Sequence, residues 1–132
     1  MVITDGGGLP ISALVASATP HEVKLVKPTI RARFTRQVPE HMIGDAAYDS
    51  DPLDSELAAM NIELIAPHKV NRVKPVTQDG RALRRYRRRW QIERTNSWLQ
   101  ACRRIATRYE WKAENYQAFV HLAFTVILGG YL

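Results

Sequence analysis

"EHMIGDAAYDSDPLDSELAAMNIELIAP", residues 40–67, is the stretch that decides the fold. Its start reads as a short apolar strand running into Asp45. "DSDPLDSELAAMN" then reads as a helix: Ser50 or Asp51 can cap it, Pro52 suits its first turn, and acids crowd its positive end. "IELIAP" is again a short apolar strand. Working outward, "MVITDGGGLPISALVASA" (residues 1–18) reads as two short strands around a Gly-rich turn, with Asp5-Gly6 supplying the turn chemistry. "HEVKLVKPTIRARF" (21–34) reads as a helix interrupted at Pro28. "HKVNRVKPVTQDG" (68–80) has no core pattern and reads as a polar loop. One long helix follows over roughly residues 80–109, then a break near "WKAEN" and a final apolar helix. This order of strands and helices implies an α/β chain, with a mixed sheet flanked by helices.

The 132 residues suit one domain with one core. A 45% apolar and 24% charged composition is ordinary for a globular protein. The single cysteine, Cys102, excludes an internal disulfide framework and fits a reducing compartment, so a cytoplasmic location is expected. His21, His41, His68 and His121 are not spaced as a zinc site. The N-terminus lacks the basic start and apolar run of a signal peptide. The tail "AFVHLAFTVILGGYL" is short for a membrane span and carries His121, so it is expected to be a buried helix and no membrane partner is expected.

The net charge of +6 is uneven: residues 69–112 hold 14 of the 19 Lys and Arg and only three acids, Asp79, Glu93 and Glu110. A basic block on an otherwise mildly acidic chain points to a polyanion, and nucleic acid is the common one. Arg84, Arg85, Arg87, Arg88, Arg89 and Arg94 form its densest part, and Glu93 is set among them. At about 100° per residue, Tyr86, Arg89, Glu93 and Gln100 share one narrow face. Leu83, Trp90, Trp98, Ala101 and Ile105 fall on a neighbouring arc, expected to be buried. Glu93 would then sit at the edge of the buried face, where it could bind a divalent metal at a phosphodiester. A simple Arg89–Glu93 pair explains it equally well from the helix alone. Asp45 likewise has two readings: a strand-end carboxylate facing a ligand crevice, or a turn or cap aspartate.

"GDAAYDSD" (44–51) resembles the second-aspartate block of bacterial insertion-sequence transposases of the DDE type. The helix is similar to the glutamate block of that family: Tyr, two residues, Arg, three residues, Glu, six residues, Lys. Tyr86, Arg89 and Glu93 fit; Gln100 stands where the family has Lys. Residues 103–124 and 2–22 also resemble the corresponding family segments, so the resemblance covers nearly the whole chain.

The resemblance implies a ribonuclease-H-like fold that cuts and joins DNA at transposon ends, with three acids holding two Mg2+ or Mn2+ ions. Asp45 would be the second acid and Glu93 the third. Arg89 would contact phosphate near the scissile bond, and Tyr86 would help position it. Double-stranded DNA is the expected partner, bound by Arg84, Arg85, Arg87, Arg88, Arg89, Arg94 and Gln100. The first acid, in the family, lies on a central strand upstream of the one resembling "VITDGGGLP"; Asp5 matches a turn position instead. Residues 1–132 are therefore expected to be part of a catalytic domain that lacks the first central strand. An upstream transposase segment would complete it, and the open sheet edge is expected to favour self-association. The alternative is a non-catalytic basic DNA-binding module or a truncated relic. A structural or RNA-binding basic helix is a third reading, which gives Asp45 no role.

Overall fold

A computed structural model describes residues 1–77 and 81–130. The expected loop end and helix start at residues 78–80, and Tyr131 and Leu132 of the tail, lie outside the described residues. The chain divides into two compact units. One combines Met1–Arg36 with the chain from Trp90 onward; the other is Gln37–Arg89.

In the first unit, β1 (Val2–Thr4) and β2 (Pro10–Ala13) pair antiparallel, as read from the sequence. The turn between them is built by Asp5, whose Oδ1 accepts from the Gly7 and Leu9 N–H groups, each at 2.8 Å. Helix α1 (Glu22–Arg31) buries Val26, Thr29 and Ile30, the spacing of one helical face. Pro28 lies inside this helix and does not interrupt it. Pro28 and Lys24 are both exposed, so the Lys24 carbonyl that loses its donor can be met by water.

The expected single helix over 80–109 is three pieces. Residues Ala82–Arg89 are wound as a 3-10 helix in the second unit. Helix α3 (Trp90–Ala101) and the short α4 (Arg103–Ala106) belong to the first. Cys102, extended at ψ 105°, separates the last two. The buried face of α3 is also displaced from the expected arc. Thr95 and Leu99 are buried, Trp98 is partly buried, and Trp90 and Ala101 are exposed.

The reason for that displacement is the approach of α3 to the β1–β2 turn. The Thr95 hydroxyl donates to the Gly8 carbonyl. Gly8 has φ +82°, and a Cβ there would stand 2.8 Å from Arg94 Nη2 and 3.2 Å from the Gln91 carbonyl oxygen. Glycine is needed both for the left-handed backbone and for the contact. Gly8→Ala is expected to destabilise this unit by about 2 kcal/mol, read as a lower thermal midpoint; an unchanged midpoint would mean that the helix yields freely there.

Helix α5 (Ala113–Leu128) completes the first unit. Its Val120, Ala123, Phe124 and Ile127 meet Ala13 and Leu99 in the core. Gln117 ties it to β2: its Oε1 accepts from Val15 N–H (2.7 Å) and its Nε2 donates to the Ala13 carbonyl (3.1 Å). The apolar tail is thus half-buried, not buried: Leu122 is 60% exposed, and Val126 and Leu128 are also exposed. Among the described residues no helix is long and apolar enough to cross a membrane.

The second unit is the strand–helix–strand stretch. Strands β3 (His41–Ile43) and β4 (Glu63–Ile65) pair in parallel, with Met42 opposite Leu64. Helix α2 (Asp51–Ala58) connects them and buries Leu53 and Leu57, against a chain that buries Ile62, Leu64, Ile65 and Ala66. Asn61, at φ 58°, makes the left-handed turn out of α2. The mixed α/β character is as expected, but the described strands form two two-stranded sheets, one antiparallel and one parallel.

Candidate active site and nucleic-acid interface

Asp45 lies two residues beyond β3 and caps a 3-10 turn, Ala46–Tyr48. Its Oδ1 accepts from the Ala47 N–H at 2.9 Å. The turn is tight because a Cβ on Gly44 would stand 2.9 Å from the Tyr48 ring.

The next acids are more deeply committed. Asp49 has a side chain only 4% exposed. It accepts from Arg72 Nη1 at 2.7 Å and from the Lys69 N–H at 2.8 Å, and its Oδ1 is 2.9 Å from His68 Nδ1. Arg72 Nη2 also reaches Asp51 at 2.8 Å, and Lys74 Nζ meets the other Asp51 oxygen at 2.9 Å. Burial alone would push the Asp49 carboxyl up. The Lys69 N–H, the His68 ring and the Arg72 charge outweigh it and hold the carboxyl below the usual range. Hydrogen bonds from Lys74 and Arg72 lower Asp51. Asp54 goes the other way, raised by burial and by the Asp51 and Asp49 charges. Its Oδ1 is buried and, among the described residues, has no hydrogen-bond partner. The loop 68–77 is therefore an ion-paired strap on the start of α2. Its acids and bases were visible in the sequence as "DSD" and "HKVNRVK", but nothing in their spacing showed that they meet.

The arginine segment follows the three-residue period of its winding. Leu83, Tyr86 and Arg89 are half-buried, while Arg84, Arg85, Arg87 and Arg88 are exposed. Residues three apart eclipse in a 3-10 helix, which places Arg89 on Tyr86. Arg89 Nη1 donates to the Tyr86 hydroxyl at 2.9 Å, and its guanidinium carbon is 5.6 Å from the ring centroid. The four-residue face expected at 100° per residue does not carry through this segment, because 3-10 winding turns about 120° per residue.

On α3, Glu93 and Gln100 lie two turns apart and both are exposed. Glu93 is in the first turn, where the helix dipole favours a negative charge. Arg94 is used in packing. Its guanidinium lies over the Trp90 ring at 5.1 Å and the Trp98 ring at 4.8 Å, and Nη2 donates to the Gly7 carbonyl. Asp45, Tyr86 and Arg89 belong to one unit; Glu93, Arg94 and Gln100 belong to the other. Carboxylates are the hard oxygen donors that Mg2+ and Mn2+ take. Among the described residues no three His, Cys, Asp or Glu side chains are grouped to hold an ion. Asp45 and Glu93 each carry such donors, and they lie in different units.

Residues 1–128 match the family model of the transposase DDE domain. The chain is 31% identical over 134 residues to a protein named as a transposase for insertion sequence element IS402 of Burkholderia cepacia, covering 96% of this chain and 60% of that protein. It is 42% identical over 89 residues to one named for insertion sequence element IS6501 of Brucella ovis, covering 66% of this chain and 65% of that protein. The chain therefore spans less than two thirds of the length of these curated relatives. No solved structure matches it significantly.

Proposed function

The chain belongs to the transposase DDE domain family, and from that premise we propose that it is part of a transposase catalytic domain that cuts and joins DNA at insertion-sequence ends. In this reading residues 1–132 belong to one ribonuclease-H-like domain. Asp45 is its second metal-binding acid and Glu93 its third, while a transposase segment carrying the first acid completes the site. The protein works in the cytoplasm, on the nucleoid. The observation that carries the reading is the arginine-rich 3-10 helix, with four arginines exposed, leading in sequence directly into the helix that bears Glu93.

Each residue then has a task. Arg84, Arg85, Arg87 and Arg88 neutralise backbone phosphates. Arg89, fixed by the Tyr86 hydroxyl and ring, presents an oriented guanidinium to the phosphate at the scissile bond. Gln100 offers an amide N–H where the family has a lysine, and Arg94 adds charge from its place between Trp90 and Trp98. Asp45 and Glu93 would hold Mg2+ or Mn2+, which would supply Lewis-acid chemistry at the phosphodiester. A second reading, a non-catalytic DNA-binding module, is favoured by one feature: Asp45 already has a structural use as the cap of Ala46–Tyr48.

Both readings require DNA binding, and the first test is electrostatic. Affinity for duplex DNA is expected to fall steeply with salt. Replacing Arg84, Arg85, Arg87 and Arg88 with alanine is expected to reduce the log–log slope by about 3 to 4. Anisotropy titrations across salt concentrations measure it. A slope unchanged by the fourfold substitution would remove this helix from the interface.

A further inference from the structure

A second basic and aromatic surface lies in the first unit. It is the loop between α4 and α5. Glu110 organises it from inside: its side chain is 7% exposed, Oε1 accepts from Arg104 Nη1 at 3.1 Å, and Oε2 accepts from the Tyr109 N–H at 3.2 Å. Arg108 fixes the same loop, donating to the Glu110 carbonyl (3.0 Å) and the Trp111 carbonyl (3.3 Å) while lying over the Tyr116 ring. The one acid of the segment is thereby spent internally. What the loop turns outward is aromatic: Tyr109 is 71% exposed and Trp111 is 96% exposed.

Beside the loop is a shallow hollow of about 490 Å³, with Phe119 and Leu122 on its apolar side and Arg104, Tyr109, Asn115 and the Arg104-paired Glu110 on its polar side. The Arg104 guanidinium lies 5.7 Å from the Tyr109 ring centroid and 5.4 Å from that of Phe119. Arg103 and Lys112 are exposed on either side of the loop.

We propose that this loop and hollow bind an unpaired DNA strand, one base lying against Tyr109 and Phe119 and a neighbouring base stacked on Trp111. Arg103, Arg104 and Lys112 neutralise the adjoining phosphates. The charge selects a polyanion over an apolar protein surface, because Arg103, Arg104, Arg108 and Lys112 outnumber Glu114 and Glu110, the latter already paired. The aromatics select an unpaired strand over a duplex. A duplex keeps its base faces stacked inside and offers this loop only phosphate, which needs no exposed tryptophan. Asn115 carries both a donor and an acceptor for a base edge. This rests on the DNA reading above and adds to it the state of the strand: frayed or already separated.

The test compares three probes at one salt concentration with the full chain: oligothymidine, the same backbone without bases, and duplex DNA. Trp111→Ala is expected to weaken oligothymidine binding about tenfold and to leave the abasic strand and the duplex unchanged. Trp111→Phe, which keeps a ring, is expected to restore most of the affinity. Trp111 contributes no burial, so the thermal midpoint should not move. Oligothymidine affinity unaffected by Trp111→Ala overturns the proposal, as does an equal loss on the abasic strand. Loss of self-association in Trp111→Ala, with oligothymidine binding intact, makes the loop a protein contact and overturns it too. If the wild type binds none of the probes, the DNA reading itself fails; duplex binding without base-dependent strand binding fails this proposal alone.

Discussion

Asp49→Ala is expected to free residues 68–77 from the start of α2 and to speed tryptic cleavage after Lys69 and Arg72 by at least about tenfold. Cleavage tracks the population of the open form, and the mutation removes the acceptor that closes the strap. Arg72 Nη1, the Lys69 N–H and the His68 ring all converge on this carboxylate. Taking away one partner of a nearly buried charged cluster leaves the others desolvated and unpaired, which costs far more than an exposed pair is worth. The Asp51 contacts of Arg72 and Lys74 are more exposed and screened, so they hold the loop only weakly alone. Cleavage after Lys24, on α1, serves as the internal control and should not change. An unaltered pattern at all sites would mean that backbone turns, not the ion network, fix this loop.

The same network sets a pH dependence of definite sign. Asp49 and Asp51 have folded-state pKa values below their unfolded ones. Their contribution is present above the usual carboxylate pKa of about 3.9 and is lost as pH falls through the folded values. Asp54 is raised, so its contribution has the opposite sense and is lost as pH rises through its folded value. Asp54→Asn is expected to remove that upper loss while leaving the acid limb in place, and protease protection of residues 68–77 against pH would show both limbs.

The parts of this fold that were legible were those where one local rule settled the matter. Asp5-Gly6 marked a turn, Pro52 and the acids around it marked a helix start, and the period of "IELIAP" marked a strand. Each appears where it was read. The arginine helix was not legible in the same way. A 100° period and a 120° period separate only slowly along a few residues, and dense charge leaves few apolar positions to distinguish them. The packing of Arg94 was not legible either: its guanidinium lies between Trp90 and Trp98 and donates to Gly7, a contact 87 residues away that no local pattern carries. For Asp45, both readings were open in the sequence. Its capping bond to Ala47 uses one carboxylate oxygen, so the structural use and the proposed metal ligation are compatible.

Glu93→Gln is expected to lower metal-dependent nicking of a transposon-end duplex by about a thousandfold, with duplex affinity nearly unchanged. The assay supplies a transposase segment bearing the first acid of the family, in one chain or as a separate fragment, with Mn2+ present. A thousandfold corresponds to about 4 kcal/mol of transition-state stabilisation, the several kcal/mol expected when a metal is lost from an in-line displacement. The amide is nearly isosteric but carries no charge to hold the ion, so binding and chemistry separate. Asp45→Asn should give a comparable loss, and calorimetric Mn2+ titration should weaken in both variants. Arg89→Ala should cost less, roughly tenfold to a hundredfold, because neighbouring arginines partly replace its charge but not its fixed orientation on Tyr86. The fourfold arginine variant should behave oppositely to Glu93→Gln, losing affinity before it loses rate per bound complex. If Glu93→Gln nicks at the wild-type rate while the arginine variant loses DNA, the carboxylate has no part in the reaction. The non-catalytic DNA-binding reading then replaces the transposase one for this chain.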